Sequence, residues 1–594
     1  VSAPATLGNI ITGLVSSLLA AIGHNPQAAT GPGAPAQAPM LWTLLAWVRR
    51  EIEKSLPNET AATGIQQVSA LTAEHPAPAA MVDPLQSPNL LVSQGAELGD
   101  PSLSGYSSVS IPGWTETGTP TVIQYGTLRR LPLGLATPGP TLPAFFGFPS
   151  VSSEPPGGGV QFFGGGNVAT STLSQTVDLS GAASAIDAGA VPYELSADLG
   201  GALIDPSAAS VTVNFLNASK VSLGTGQLAP VTAFDRLFQT ELLERDTTGT
   251  IPVGARSAQV TVTFTDNNPF PGNYNNAYAD NVSFTVGAAI PAPPPPTPPV
   301  STVGPLDHVF MVYLENHGVN DIIGSPNAPY INSLINTYGY GSNYFALAHP
   351  SAPNYYPILG GTDFGFNYNC PTNCFNAPNL PDNIEAAGKT WAGYEEGMPA
   401  PGTEVSAPGY APDELPFFAF SDIFNDPARA QAHLFPLTQM ATDLASTATT
   451  PNFVWFAANE ASNGEGPIDF PFGILSFALS QLTTHQYNIA AADQFLQQEI
   501  PIIMNSPAWQ TQRCAIFITF DEDYNNLSLG IGNEGNHVAM IVIPSPNSGM
   551  LQGHFVVDDY NNHYSLLRTI EDSLGLPPLT DNDKFATPMN GYWP

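Results

Sequence analysis

A chain of 594 residues is longer than one hydrophobic core usually serves, and its 43% hydrophobic residues supply enough apolar material for several cores. With 14 Lys+Arg against 49 Asp+Glu, the formal net charge is −35, which excludes a grip on nucleic acid or on an anionic membrane surface. Charged residues total only 11%, far below the ~25% of an average soluble domain, so Ser, Thr, Asn, Gln, Gly and Pro must build much of the exterior.

Residues 1–92 read as an Ala/Pro-rich helical region. Leu7, Ile10, Ile11, Leu14, Leu18 and Ile22 recur at helical spacing, and Met40 to Leu56 is apolar at first and then charged. Neither patch reaches the ~20 apolar residues of a membrane span, so a helical hairpin packing on itself or on its neighbour is expected rather than an envelope anchor. Val1 in first place fits a removed leader.

From 93 to 287 the pattern turns to short β-rich runs separated by Gly, Asn, Asp and Pro, among them 211–218, 258–266 and 281–286. Many strands without intervening helices predict an all-β sandwich or jelly roll. The segment YNNAYADNVSFTV (274–286) resembles the last strand of galactose-binding-like and carbohydrate-binding modules. That resemblance implies a cell-surface glycan as partner and a structural Ca²⁺ at Asp280, with turn carbonyls completing the oxygen shell. A plain turn aspartate is the competing reading.

Residues 288–304 are a Pro-rich linker: seven of the eleven residues in IPAPPPPTPPV (290–300) are Pro, which predicts a semi-rigid polyproline II spacer.

Residues 305–594 alternate strand-like and helix-like segments, predicting an α/β domain with a mostly parallel sheet. Ligands of such sheets bind beyond the carboxyl ends of the strands, so the residues following each apolar run matter most. His308–Leu314 runs into Glu315 and Asn316, Cys514–Phe520 into Asp521, Glu522 and Asp523, and the run 453–458 into Asn459, while Asn536 and His537 precede the run 538–543. Such hard oxygen ligands suit one divalent cation. Ser351, in HPSAPNYYPILGGT, precedes a helix start with Pro353 in its first turn, where free N–H groups favour a phosphate. A hydroxyl there is a candidate phosphoryl-accepting nucleophile, or only a helix cap. Cys370 and Cys374, in C-P-T-N-C, are spaced for a short disulfide, and Cys514 reads as a buried thiol. One disulfide, few Lys and much Ser, Thr and Pro suit a secreted or envelope-associated bacterial protein.

Taken in order, the blocks HVFMVYLENHGVNDIIGS, APYINSLI, HPSAPNYYPILGG, FITFDED, GNHVAMIVIPSP and HYSLLRTIEDSLGLPPL resemble the phosphoesterase family of bacterial acid phosphatases and phospholipases C, within the alkaline-phosphatase-like superfamily. The resemblance implies Glu315, Asn316, Ser351, Asp521 and Glu522 as ligands of one or two divalent metal ions, with Ser351 the nucleophile. It makes Asn354 the holder of a phosphate oxygen, and His349, His537 and His563 candidates for phosphate binding or leaving-group protonation.

Two departures stand out. Family phospholipases usually read Glu-Asn-Arg-Ser-Phe-Asp, where this chain has Glu315-Asn316-His317-Gly318-Val319-Asn320; this favours the acid-phosphatase branch over phospholipase C. The Asn and Asp/His cluster expected after Asn459 is displaced, which leaves Asn459 as a substrate-binding candidate, His485 as a weaker one, and the metal count open. The expected function is phosphate monoester hydrolysis. The alternatives are a phospholipase C, or a surface glycan-binding protein whose catalytic domain is inactive.

Overall fold

The computed structural model describes residues 87–127, 148–189, 191–267, 275–288, 290–366, 369–370, 372–466, 480, 484–523 and 535–594. The helices expected within 1–56 lie outside the described residues. Among the described residues no helix is long and apolar enough to cross a membrane.

The first half contains two five-stranded antiparallel sheets. One runs in the order Thr115–Thr117, Thr170–Asp178, Ser257–Thr265, Ala208–Leu216, Ser222–Leu228. The other runs Thr121–Gln124, Gln161–Gly164, Ala277–Val286, Pro192–Gly201, Glu241–Thr250. Alternation explains the pairing. Val211, Val213 and Phe215 point inward while Thr212 and Asn214 point outward, and the register sets Val211 against Val262 and Val213 against Val260. Leu195, Leu199 and Phe284 of the second sheet join these residues in one hydrophobic core, each large side chain contributing ~1.5–3 kcal/mol by burial.

Residues 291–300 carry no helix or strand, and Pro293, Pro296 and Pro299 are half-buried among exposed neighbours. Burial every third residue is the periodicity of polyproline II.

The second half is α/β. Its eight-stranded sheet runs Leu434–Pro436, Trp391–Glu395, Phe453–Ala457, His308–Leu314, Cys514–Phe520, Met540–Pro544, Gly339–Gly341, Phe555–Val557. Five of the seven neighbouring pairs are parallel. His308–Leu314 and Cys514–Phe520 are buried along their whole length, as expected for strands covered on both faces. Because Phe453–Ala457, His308–Leu314 and Cys514–Phe520 are parallel neighbours, Ala458, Glu315 and Asp521 emerge at one edge. Met540–Pro544 runs the other way, so it is the residues before it, Asn536 and His537, that reach that same edge.

Candidate active site

Three segments meet at this edge. From the central strand comes Glu315, whose Oε1 accepts a hydrogen bond from Tyr355 Oη at 3.0 Å and whose Oε2 accepts one from Asn316 Nδ2 at 3.1 Å. Asn316 adopts φ +60°, a left-handed turn that Asn tolerates, and this aims its N–H at Asp521 Oδ1, 2.9 Å away. The third segment is the helix Ala352–Gly360, started by a proline in its first turn and ended by Gly361 at φ +71°.

Ser351 sits at the N-cap of this helix, yet its hydroxyl makes no capping hydrogen bond. It donates instead to Glu522 Oε1 at 3.1 Å. Glu522 Oε2 in turn pairs with His349 Nδ1, and His349 Nε2 lies 3.5 Å from Asp523 Oδ1. Burial disfavours a charged His349, but the Glu522 carboxylate and then Asp523 outweigh it and raise its pKa. Asp521 is pushed well above the ordinary carboxylate range by burial first and then by Glu315 and Glu522, against the opposing pull of the Asn316 N–H and the Ser351 hydroxyl. A narrow cleft opens over Ser351, lined by Glu315, Tyr355, Asn369, Asp413 and Pro416 among others.

The donor set suits a hard cation. Three buried carboxylates repel one another, and Asp521 Oδ2 is buried without a well-formed hydrogen bond. Among the described residues no group of three or more His, Cys, Asp or Glu side chains is already closed to metal-binding geometry, so the oxygens are gathered rather than clamped.

Other expected residues take different parts. The amide of Asn354, fully buried, accepts from the N–H groups of Leu347 and Ala348 at 2.8 and 3.0 Å and donates to the Ala348 carbonyl at 2.8 Å. It therefore fixes the loop before Ser351, and the phosphate-holding role implied for it gives way to positioning. His563 bonds Tyr344 Oη through Nδ1 and the Asp521 carbonyl through Nε2, and burial lowers its pKa to about 4. Both ring nitrogens are occupied, so it braces Asp521 from beneath instead of donating a proton to a leaving group. His537 binds the Ser342 carbonyl, stacks on Phe345, and has its pKa lowered by burial. Asn459 turns toward its own loop, accepting from Ala461 N and Ser462 Oγ; Asn463 takes the position beside Glu315, its carbonyl accepting the Glu315 N–H at 2.8 Å. His485 faces Asp321 at 3.3 Å.

Cys370 and Cys374 form the disulfide, and Tyr356 Oη ties its loop to the helix by donating to the Cys370 carbonyl at 2.7 Å. Cys514 is a free buried thiol, and burial pushes its pKa up to about 12. In the first half, Asp280 accepts from Tyr125 Oη and Asn281 N, both at 2.7 Å, with the carboxylates of Glu97 and Asp198 adding like charge.

Tyr355 and Asn536 carry signals that were open to reading. Tyr355 stands four residues after Ser351, one helical turn on and the same face. Asn536 precedes the antiparallel strand, and its amide bonds Asp523 N and the Ala348 carbonyl.

Residues 324–577 match the model of the Phosphoesterase family. Over that stretch the chain is similar to that family. Its chemistry is phosphoester hydrolysis. Glu315 and Asn316 lie upstream of the matched stretch, and the hydrogen bond from Asn316 to Asp521 joins them to it. A phosphatidylinositol-3-phosphatase of Mycobacterium tuberculosis is 28% identical over 294 residues, 48% of this chain and 82% of the relative. A probable acid phosphatase of Kluyveromyces lactis is 25% identical, covering 46% of this chain and 59% of the relative. An acid phosphatase of Aspergillus fumigatus is 23% identical, covering 48% and 59%. Among solved structures, a protein in the alkaline phosphatase superfamily from Vibrio parahaemolyticus aligns at 12% identity over 48% of this chain and 71% of that one, with a TM-score of 0.31.

Proposed function

We propose that the chain is an exported, metal-dependent phosphomonoesterase of acid-phosphatase type that works through a phosphoserine on Ser351. The observation that carries the reading is the Ser351 hydroxyl: it stands at a helix N-terminus, makes no capping hydrogen bond to its own helix and donates to a buried carboxylate. A divalent cation held by Glu315, Asn316, Asp521, Glu522 and Ser351 would supply Lewis acidity, lowering the hydroxyl's pKa and neutralising phosphate charge.

The chain's own groups account for the rest. Ser351 Oγ attacks phosphorus in line, its proton passing to Glu522, and the bond from phosphorus to the ester oxygen breaks as the alcohol leaves with a proton. His349, whose pKa Glu522 and Asp523 raise, serves as the proton source and is linked to the nucleophile through Glu522. Water then hydrolyses the phosphoserine. The partial positive charge at the N-terminal end of Ala352–Gly360 steadies the equatorial oxygens.

In the first half, the same proposal reads the two antiparallel sheets as a jelly-roll-like sandwich with a cell-surface glycan as partner. Calcium at Asp280 is part of it, supported by the like charges of Glu97 and Asp198. The mycobacterial relative's name favours a second substrate reading, in which the monoester is a phosphoinositide phosphate.

The test compares wild type with Ser351→Ala on p-nitrophenyl phosphate and p-nitrophenyl phosphorylcholine, across several divalent metals. Hydrolysis of the monoester alone, lost in the folded Ser351→Ala protein, is the expected result. Preference for the phosphorylcholine ester would make the chain a phospholipase C. Absence of hydrolysis of either ester would leave the glycan-binding reading.

A further inference from the structure

We propose that the β-sheet half is a brace for the nucleophile loop, and that Asn167 and the Ser102/Ser104/Ser107 contact with Asp363 are positioning elements of the hydrolytic site. This rests on Ser351 being the nucleophile.

The loop 346–350 has no regular secondary structure, so its peptide groups need partners from outside it. Three asparagines provide them. Asn354, from the helix, holds the N–H groups of Leu347 and Ala348. Asn536, beyond the acidic strand end, donates to the Ala348 carbonyl at 2.9 Å. Asn167, from the β half, donates to the Leu347 carbonyl at 3.1 Å, and the Ser108 N–H donates to the same oxygen at 2.9 Å. Thr119 Oγ1 donates to Asn167 Oδ1 at 2.8 Å and so fixes which way that amide points. Leu347 precedes Ser351 by four residues, so the β half grips the backbone of the loop that leads into the nucleophile.

A second grip lies past the other end of the helix. Asp363 is buried, and its Oδ2 accepts from Ser102 at 2.9 Å, from Ser104 at 2.8 Å and from Ser107. Its Oδ1 accepts the Gly365 N–H at 2.9 Å. A buried carboxylate is costly unless hydrogen-bonded, and here most of its donors come from the other half of the chain. Three hydroxyls converging on one oxygen also demand a single relative placement of the two halves. Further polar contacts extend the joint: Tyr560 Oη donates to the Gly118 carbonyl at 2.9 Å, and Ser110 Oγ to the Asn582 carbonyl. Asn582 Nδ2 then donates to the Gly361 carbonyl, at the helix C-terminus, at 3.0 Å. The segment that carries Ser351 is thus held before and after by the β half. A module acting only as a tethered anchor on a polyproline spacer needs none of these bonds.

The experiment uses full-length Asn167→Ala, Asp363→Ala, Asp363→Asn and, as a control on an exposed strand position, Glu244→Gln. It reads p-nitrophenyl phosphate kinetics together with hydrogen exchange of peptides spanning 345–363. The expected result for Asn167→Ala is a kcat lower by roughly 10- to 100-fold with KM within about twofold, and faster exchange confined to the loop. Asp363→Asn, which keeps an acceptor oxygen, restores part of the activity that Asp363→Ala loses, and Glu244→Gln matches wild type. Unchanged exchange over 345–363 in Asn167→Ala overturns the brace, whatever the kinetics. Faster exchange in a wild-type background that shows no Ser351-dependent turnover overturns the hydrolase reading and leaves the brace standing.

Discussion

Replacing Asp521 with Asn sets the proposed cation against the fold. In the folded chain Asp521 is buried near Glu315 and Glu522, and burial followed by their charges raises its pKa. The native state therefore keeps a proton that the unfolded chain releases, and without metal its stability falls as pH rises from the ordinary carboxylate range through the raised folded value. Asn316 spans the gap between two of the carboxylates, its N–H 2.9 Å from Asp521 Oδ1 and its Nδ2 3.1 Å from Glu315 Oε2. Forcing Asp521 to ionise beside Glu315, at ~6 Å and an effective dielectric of ~20, would cost on the order of 3 kcal/mol. Asn keeps the oxygen that accepts the Asn316 N–H and removes the charge. Asp521→Asn in chelator at pH 8 should accordingly melt above wild type, by roughly 5 °C after partial relaxation of the site. A divalent cation at ~100 times its Kd should then raise wild type by ~2.7 kcal/mol and leave the variant unmoved. Thermal melts over pH 4 to 9, with chelator and then with Mg²⁺, Mn²⁺, Ca²⁺ or Zn²⁺, measure both effects. If wild type responds to none of these metals and the variant is no more stable in chelator, the carboxylates are not a cation site.

Tyr355→Phe removes the 3.0 Å bond to Glu315 and should weaken metal affinity ~10-fold or more in a metal titration, with KM for p-nitrophenyl phosphate at saturating metal little changed. Glu571, inside the helix His563–Leu574, has its pKa raised to about 11 by burial and then by Asp583. It is neutral when folded and ionised when unfolded, so its contribution is full below pH ~4.3 and is lost toward 11. Glu571→Gln should flatten the stability–pH curve, gaining up to ~1.4 kcal/mol per pH unit over wild type in denaturant melts across that window.

The strand ends were legible because a wholly buried parallel strand reads as an uninterrupted apolar run, and the first polar residue after it marks the carboxyl edge of the sheet. Glu315 and Asp521 stand at that edge, and Ser351 stands at the helix start marked by the proline that follows it. Side-chain allegiance was not legible. Asn354 stands where a phosphate contact is implied, but a loop without secondary structure needs donors and acceptors, and the nearest amide is spent on it. His563 looks like a free imidazole in sequence, yet both nitrogens face buried oxygens. Asn459 lost its place because the chain at 458–466 folds back and presents the Asn463 carbonyl instead. Asn167 could not be found at all: its partner Leu347 lies 180 residues away, across the proline spacer, and only the tertiary placement of the two halves joins them.

Charge at the cleft constrains the order of events. The residues lining it include Glu315 and Asp413, Asp521 and Glu522 lie beneath, and no Lys or Arg is among the lining residues. Arg429 is committed to Asp382, Glu385 and Asp422, and Arg513 to Asp307. A phosphate dianion approaching Ser351 thus meets like charge, offset by a helix N-terminus worth ~0.5 of an elementary charge. The same carboxylates that repel it are the ones whose repulsion a cation relieves. Cation binding should therefore precede substrate binding and be required for it: equilibrium dialysis with inorganic phosphate should show binding in the presence of metal and none in chelator. In Asp521→Asn, assayed above the pH at which wild-type Asp521 ionises, phosphate should bind weakly even in chelator. Equal phosphate affinity with and without metal would mean that the counter-charge comes from the backbone alone.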